Sequence, residues 1–324
     1  MHAWLCETPT GVDQLIWKEL PTPTPGPGEV LVQIQAASLN FPDLLIVQNK
    51  YQFKPSLPFV PGSEWAGVVQ SLGEGVRHLQ VGQAVACLSG TGGFATHTVA
   101  KADQCVPLPP NFPAVDAAAF IMIYATSYHA LVDRALLQPN ETVFIMGAAG
   151  GVGTSAIQIA KALGARVFAT AGNDDKVRIC EGLGAEMGLN YRTQDWAQIL
   201  RKAGGMNLIL DMVGGSYLPQ NLRSLADDGR LVQIAFLQGA KVEVNFAELM
   251  MRRLTLTGST LRPQSDLAKA RIAAEVEAHV WPMVALGKVK VVLDSEFPLT
   301  EAAAAHARIE APDHIGKIVL KVQA

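Results

Sequence analysis

A glycine-rich turn at residues 147–153 is the segment of this sequence with the clearest potential for ligand binding. The surrounding segment, 141–161, reads ETVFIMGAAGGVGTSAIQIAK. Its pattern predicts a strand, a tight turn and a helix in immediate succession. Glycines let the backbone approach a pyrophosphate closely, and the helix N-terminus offers unpaired N–H groups with a favourable dipole. We therefore predict a dinucleotide phosphate site at Ala149, Gly150, Gly151, Val152 and Gly153.

The end of the next predicted strand indicates which nucleotide this site favours. In an NAD site, an acidic residue about 20 residues beyond the glycine turn binds the ribose 2′-hydroxyl. Here the strand ends ATAG, so Gly172 stands where the acid is expected, and Asn173 and Lys176 follow. Without that carboxylate a 2′-phosphate is not repelled, and Lys176 supplies a point charge for it. NADPH is therefore favoured over NADH.

Asp174 and Asp175 argue the other way, because either could bind a ribose hydroxyl. We favour for both a role as N-cap and first-turn acids of the next helix. Lys176 could equally be a solvated surface lysine. In that case Tyr191 and Arg192 are the next candidates for the 2′-phosphate.

Metal-binding side chains do not occur at ligand spacing. A catalytic zinc takes three protein ligands, usually from Cys and His, and leaves one position open. The four cysteines contain no CxxC pair, and the seven histidines never pair at ligand spacing. We therefore expect no metal. Scattered cysteines also indicate reduced thiols, and hence a cytoplasmic protein, rather than a disulfide framework.

Length and composition limit the class of protein that must position these residues. The chain has 324 residues, 49% of them hydrophobic, and a formal net charge of −3. This length suggests about two domains, each with a full core. The slight acidity gives no reason to expect a nucleic acid or an anionic membrane as partner. Apolar runs stop short of the ~20 residues of a membrane span, and the N-terminus lacks a signal-peptide pattern.

The chain changes its pattern near residue 140. Residues 1–122 contain short apolar strands separated by Gly and Pro, typical of a partly open β-barrel, with one helix at 40–48. Beyond a connector at 107–113, residues 114–135 have helical spacing throughout. Six strand candidates alternating with helices follow, which predicts a six-stranded, doubly wound parallel sheet. They lie at 141–147, 165–172, 186–191, 207–214, 229–236 and 254–261.

The remaining residues, 262–324, read as a tail that returns to the first domain. The pattern predicts a long helix at 265–286, a second helix within 297–310 and a last strand at 316–322. We therefore divide this α/β chain into domains at 1–122 and 123–261 and a tail at 262–324.

The order of these segments resembles the medium-chain dehydrogenase/reductase superfamily, and within it the zeta-crystallin-type quinone oxidoreductases. The resemblance covers the whole chain and is carried by AASLNFPDLL, VPGSEWAGVV, NETVFIMGAAGGVGTSAIQIAK, NLILDMVGGSY and IGKIVL. It implies a GroES-like barrel domain, a Rossmann domain and NADPH-dependent reduction of quinones or other activated double bonds. The chain departs from the family at Phe144, where leucine is usual. It also has Ala148 where zinc-dependent relatives have the first glycine of the turn, and Gly150 where some members have serine.

The same resemblance implies which side chains act on the acceptor. Asn40, Asp43 and Tyr51 would face the nicotinamide, with Tyr51 donating a hydrogen bond or proton and Asn40 fixing a carbonyl or the ribose. Alternatively, Asn40 and Asp43 only cap a short helix and Tyr51 is a barrel-rim aromatic. Zinc-dependent relatives carry Cys where this chain has Leu39–Asn40 and His where it has Ser63. Further cofactor contacts are expected from Asn40, Thr126, Tyr191, Val213, Ala235, Phe236, Ser259 and Lys317.

Three functions remain open on the sequence. The first is an NADPH:quinone oxidoreductase, and the second is a double-bond reductase acting on enones or enoyl thioesters. The third is a non-catalytic NADPH-binding protein of the crystallin kind. For any of these we expect a homodimer through the strand at 254–260, because an apolar edge strand without proline is rarely left unprotected. The alternative is that the helix at 265–286 covers this edge.

Overall fold

The structure, a computed structural model, describes residues 1–322 of the chain. The chain packs as two units. The first consists of Met1–Ile123, Arg262–Trp281 and residues 291–322, and the second of Tyr124–Leu261 and Pro282–Lys290. Residues 282–290, which the sequence pattern assigns to the returning tail, therefore group with the second unit. The last two residues of that tail lie outside the described part of the chain.

Short strands build the N-terminal part of the first unit. In chain order they are β1 (His2–Cys6), β2 (Leu15–Glu19), β3 (Glu29–Ser38), β4 (Glu64–Leu72), β5 (Ala84–Leu88), β6 (His97–Lys101) and β7 (Cys105–Pro107), with helix α1 (Phe41–Val47) between β3 and β4. Helices α2 (Ala114–Ala118) and α3 (Ile121–Tyr128) follow. The helix predicted over 114–135 is thus interrupted at residues 119–120, and it ends in a π-helical turn, His129–Arg134.

The second unit contains the predicted parallel sheet. Its elements are β8 (Thr142–Ile145), α4 (Gly151–Ala162), β9 (Arg166–Ala171), α5 (Asp174–Gly182), β10 (Met187–Asn190), α6 (Trp196–Lys202), β11 (Met206–Asp211), α7 (Leu218–Ser224), β12 (Leu225–Gln233), α8 (Phe246–Met251) and β13 (Thr255–Gly258). All six strands are parallel, in the order β10-β9-β8-β11-β12-β13. This is the order of a doubly wound dinucleotide fold. The prediction is confirmed.

One predicted boundary within this sheet is wrong. The strand predicted at 229–236 begins earlier in the structure, since α7 ends at Ser224 and β12 spans Leu225–Gln233. Leu225 pairs with Met206, and the next pair joins Arg230 to Leu208, so the residues between them bulge out of the ladder. A strand interrupted in this way loses the period-two pattern by which a sequence reveals it.

Most of the C-terminal segment belongs to the first unit. It forms α9 (Asp266–Glu275), a π-helical turn (Val276–Val280), α10 (Trp281–Ala285), β14 (Leu293–Pro298), α11 (Ala302–Glu310) and β15 (Lys317–Lys321). Strand β15 pairs antiparallel with β3 of the N-terminal sheet. That seven-stranded sheet runs β14-β15-β3-β4-β5-β7, with β6 also paired to β3. In the described residues no pairing joins β14 to β7, and the barrel is partly open.

Each unit has its own apolar core. In the first, Ile34, Trp65, Val85 and Phe94 are among the buried residues of one cluster. In the second, Phe144, Phe168, Ile209 and Leu231 are packed together with Trp196. Within residues 1–322 no helix is both long enough and apolar enough to cross a membrane.

Candidate functional site

The glycine-rich turn of the second unit connects the end of β8 to the start of α4. Gly153 packs directly against the backbone of Ala148, because a Cβ at Gly153 would lie 2.5 Å from that backbone. Gly150 is the N-cap of α4 and supplies no side-chain cap. The first N–H groups of a helix have no partner within the helix itself. The turn therefore presents backbone donors that fit the phosphates of a dinucleotide.

The predicted nucleotide-selecting residues meet at the carboxyl ends of β9 and β10. A Cβ at Gly172 would lie 2.9 Å from the hydroxyl oxygen of Tyr191, so the two residues adjoin. Asn173 is the N-cap of α5, and its side-chain oxygen accepts a hydrogen bond from the N–H of Lys176 at 2.9 Å. Lys176 lies on the first turn of α5, on the same sheet edge. The structure thus brings all four residues together.

The two acids next to this group have protein partners. Asp174 accepts a hydrogen bond from the side-chain amide of Asn190 at 2.6 Å, and Asp175 forms an ion pair with Arg178. Both acids lie in the first turn of α5, where they favour the helix dipole. This arrangement supports the helix-start role for both, with Asn173 as the cap.

The other predicted cofactor residues of this unit lie at or near the carboxyl ends of later strands, apart from Thr126, which lies on α3. Val213 follows β11, Ala235 and Phe236 follow β12, and Ser259 follows β13. Two loops here are hydrogen-bonded to each other, from the Gly215 N–H to the Gly239 carbonyl and from the Gln238 N–H to the Val213 carbonyl. The carboxyl end of a doubly wound sheet is where such folds bind ligands.

Asp211, which the sequence did not mark, holds the first of these loops. Its carboxylate accepts hydrogen bonds from the N–H groups of Val213 and Gly214 and from the side-chain amide of Asn221, at 2.7 to 2.9 Å. Burial raises the pKa of Asp211, and these donors oppose the rise. Asp211 therefore shapes the turn that carries Val213.

In the first unit, the Asp43 carboxylate accepts three hydrogen bonds. One carboxylate oxygen accepts from the N–H of Asn40 at 3.0 Å, and the other accepts from the Ser63 hydroxyl at 2.8 Å and from Arg262 Nη2 at 3.0 Å. The bond to the Asn40 N–H caps α1, so the capping alternative for Asp43 describes part of its role. The bonds to Ser63 and Arg262 are not capping bonds.

Tyr51 adjoins this group through Arg262. The guanidinium carbon lies 5.4 Å from the centroid of the Tyr51 ring, within the range of a cation–π contact. Tyr51 also packs against the apolar cluster of Cys6, Val47 and Phe59. The predicted residues Asn40, Asp43 and Tyr51 thus belong to one connected group.

The Asn40 side chain is directed to a buried ion pair. Its oxygen accepts from Lys317 Nζ at 2.7 Å, and its Nδ2 donates to Glu64 at 3.0 Å. Lys317 also donates to Glu64 and to the Leu39 carbonyl, both at 2.9 Å. These three bonds use the three donors of the ammonium group. Lys317, predicted to bind the cofactor, therefore holds Asn40, and the bond to Glu64 uses one of the two N–H groups of the Asn40 amide.

Sequence reasoning missed Glu64, Arg262 and the role of Ser63. Glu64 is fully buried and also accepts from the Met122 N–H at 2.8 Å. A signal for it existed, since a lone acid in the apolar stretch around Trp65 must have buried partners. Arg262 carries no such signal, because it contacts Asp43 across 219 residues of sequence.

No group of three or more His, Cys, Asp or Glu side chains in residues 1–322 is arranged to hold a metal ion. The two positions compared with zinc ligands hold Asn40 and Ser63, which are hydrogen-bonded to the carboxylates of Glu64 and Asp43. All four cysteines are buried free thiols.

Two family models and several known proteins match this chain. The family model described as "Alcohol dehydrogenase GroES-like domain" matches residues 26–110, and the one described as "Zinc-binding dehydrogenase" matches residues 151–274. The chain is 31% identical to quinone oxidoreductase-like protein 2 of Bos taurus, over 99% of this chain and 97% of that protein. It is 33% identical to a phenolphthiocerol/phthiocerol polyketide synthase subunit of Mycobacterium tuberculosis, over 98% of this chain and 14% of that much longer protein.

Two solved structures share the fold over almost the whole chain. The quinone oxidoreductase from Thermus thermophilus, solved also as its complex with NADPH, is 32% identical with a TM-score of 0.87, over 99% of this chain and 100% of that one. A structure described as an NAD-dependent alcohol dehydrogenase is 31% identical with a TM-score of 0.90, and the match covers 100% of both chains. A nicotinamide cofactor is common to both descriptions.

Proposed function

We propose that this chain, which belongs to the quinone oxidoreductase family of the medium-chain dehydrogenase/reductase superfamily, is an NADPH-dependent reductase of quinones or similar electron-poor acceptors that needs no metal. The observation that carries the proposal is the uncapped start of α4 on the sheet edge where Gly172 replaces an acid. Bound NADPH supplies the hydride. The protein supplies binding, orientation and polar groups.

The side chains of each unit have separate tasks in this proposal. The turn at residues 147–153 binds the pyrophosphate, and Lys176 with Tyr191 binds the 2′-phosphate. In the first unit, Tyr51 donates a hydrogen bond to the acceptor oxygen on which negative charge develops. The second N–H of the Asn40 amide orients a carbonyl. Asp43 already accepts three hydrogen bonds, so we assign it to holding Arg262 and α1 rather than to proton transfer.

A second candidate function uses the same groups on a different acceptor. The match to a segment of a polyketide synthase favours enones or enoyl thioesters, because polyketide chains are carried as thioesters. Hydride addition to such a double bond also places negative charge on a carbonyl oxygen, which Tyr51 would stabilise in the same way.

The test is NADPH oxidation by the purified protein against a panel of quinones, enones and enoyl thioesters, with and without prior dialysis against a strong chelator. We expect the highest kcat/KM with a quinone, unchanged by chelation, and a loss in Tyr51→Phe of about 100-fold. Preference for an enone or thioester would select the second candidate. Tight NADPH binding without turnover of any acceptor would leave the non-catalytic function. Stoichiometric zinc lost together with activity would contradict the metal-free reaction.

A further inference from the structure

The burial of Arg262 is not explained by a contribution to stability alone. Its side chain is 5% exposed, and its partner Asp43 is 2% exposed. Only Nη2 reaches that carboxylate, while Nε and Nη1 are buried without a hydrogen-bond partner among the described residues. Each buried donor that lacks a partner destabilises the folded state, because it loses its hydrogen bond to water. An apolar residue of similar volume would often be as stable or more stable at such a position.

The contact that this arrangement maintains is the one with Tyr51. The Tyr51 ring has the apolar cluster of Cys6, Val47 and Phe59 as one neighbour and the Arg262 guanidinium as another. Asp43 fixes the guanidinium, and Ser63 and the Asn40 N–H fix Asp43. Asp43 lies on α1, and Tyr51 follows α1 closely in the chain. The Arg262–Asp43 ion pair therefore fixes the position of both the helix and the Tyr51 ring.

We propose that Arg262 is a positioning residue, which acts through Tyr51 to set the orientation of the phenol in the acceptor site. This inference rests on the proposed reductase function. It predicts that loss of the guanidinium impairs the reaction of the bound acceptor and spares the binding of NADPH, whose predicted phosphate contacts all lie in the second unit. A lysine keeps the charge but has neither the planar face nor the fork geometry that the contact uses.

The kinetic test compares Arg262→Gln, Arg262→Lys and Tyr51→Phe with the double variant Arg262→Gln/Tyr51→Phe. We expect both Arg262 variants to lose about 100-fold in kcat, as a misplaced group does, with the KM for NADPH unchanged. If Arg262 acts through Tyr51, the double variant is no slower than Tyr51→Phe alone. Multiplying losses would show that Arg262 acts independently of Tyr51, and would overturn the proposal.

The matched control is Arg308→Gln. Arg308 also pairs with a carboxylate of the first unit, Asp294, at 2.7 Å, but it is not part of the Tyr51 group. A merely structural role would lower Tm in Arg262→Gln and Arg308→Gln alike and leave kcat per folded molecule unchanged in both. That outcome, or failure of both Arg262 variants to fold, would also overturn the proposal.

A readout independent of turnover separates this inference from the proposed function. The chain has five tyrosines, so protein labelled with 3-fluorotyrosine gives five fluorine resonances, and Tyr51→Phe identifies the one from Tyr51. We expect both Arg262 variants to shift that resonance and Arg308→Gln to leave it in place. An unchanged resonance would refute the contact. A shifted resonance in a protein that turns over no acceptor would refute the proposed function alone.

Discussion

At the scale of single residues, the proposed preference for NADPH over NADH rests on the residues at the ends of β9 and β10. Gly172 stands where an NAD site carries an acid, and the Tyr191 hydroxyl adjoins it. Asp174 and Asp175 are engaged by Asn190 and Arg178. Lys176 is therefore the cation that we assign to the 2′-phosphate.

We predict that Lys176→Ala weakens NADPH binding by about 10- to 100-fold, the worth of one charge-assisted hydrogen bond, and leaves NADH binding unchanged. Fluorescence titration of both cofactors measures the ratio. The control is Lys202→Ala, on α6, which removes a lysine that donates to the side chain of Gln198. If the ratio of the two affinities does not change in Lys176→Ala, Lys176 does not bind the 2′-phosphate. Tyr191 and Arg192 are then the candidates for that contact.

The residues of the first unit show how far a sequence can predict a site. Asn40, Asp43 and Tyr51 were predicted, and they lie in one connected group. The contacts that connect them were not, because Arg262 and Lys317 meet Asp43 and Asn40 across 219 and 277 residues of sequence. Contacts of this kind depend on the fold and leave no periodic pattern in the chain.

At the scale of elements, the Asp294 carboxylate on β14 is hydrogen-bonded to Arg308 on α11. Asp294 accepts two hydrogen bonds from Arg308, both 2.7 Å, and one from the Ile315 N–H at 2.9 Å. Burial opposes ionisation of this carboxyl, but the hydrogen bonds from Arg308, Ile315 and Ser295 prevail and lower the pKa of Asp294 to about 2. Because the folded pKa lies below the ordinary value of about 3.9, the stabilisation is present above pH ~4 and is lost as the pH falls through ~2.

We predict that Asp294→Asn lowers the free energy of unfolding by about 1–3 kcal/mol at neutral pH. The difference from the wild type should shrink as the pH falls from ~4 to ~2. Thermal unfolding at several pH values gives both quantities. The control is Asp313→Asn, which removes the other, exposed partner of Arg308 and should change stability by less than about 0.5 kcal/mol. Equal losses in the two variants would contradict the assignment.

The elements themselves were largely predictable, and the exceptions have physical causes. The inner strands β8, β9 and β11 were predictable because buried parallel strands are short apolar runs between turn residues. Helix α1 was found at 40–48 with Pro42 in its first turn, and it spans Phe41–Val47. The break at residues 119–120 was missed because residues 117–123 are all apolar, so the spacing there carries no signal.

At the scale of the whole molecule, one boundary between the units was invisible in the sequence. Arg262–Trp281 belongs to the first unit and Pro282–Lys290 to the second, so the division falls between Trp281 and Pro282, within α10. A boundary inside a helix produces no linker and no change in composition. Length and pattern could therefore indicate two domains but not this division.

The surface of the second unit carries exposed apolar side chains close in sequence to its edge strand. Phe246, Met250 and Met251 on α8 are 70–74% exposed, and Leu256 on β13 is 43% exposed. Strand β13 is the last strand of the sheet and pairs only with β12 in the described chain. Large exposed apolar residues around an unpaired edge are typical of a protein–protein contact.

We predict that the protein is a homodimer in which two copies of β13 pair antiparallel about a twofold axis. The direction of the backbone groups makes the prediction specific. The Ser259 N–H donates to the Gln233 carbonyl of β12, so by strand alternation the Leu256 N–H points away from the sheet. Arg134 donates to the Gly258 carbonyl, and the outward groups of Leu256 remain for a partner.

Leu256→Pro removes an outward donor and spares the ladder to β12, whereas Thr257→Pro removes an inward donor. Light scattering of the wild type should give twice the 34.5 kDa mass of one chain. We expect Leu256→Pro to give the monomer mass with NADPH binding retained, because the predicted phosphate contacts lie on other strands. Thr257→Pro should instead lower the Tm, since it breaks a hydrogen bond within the sheet. A wild type that is monomeric at micromolar concentration would show that this edge is not the seam of a dimer.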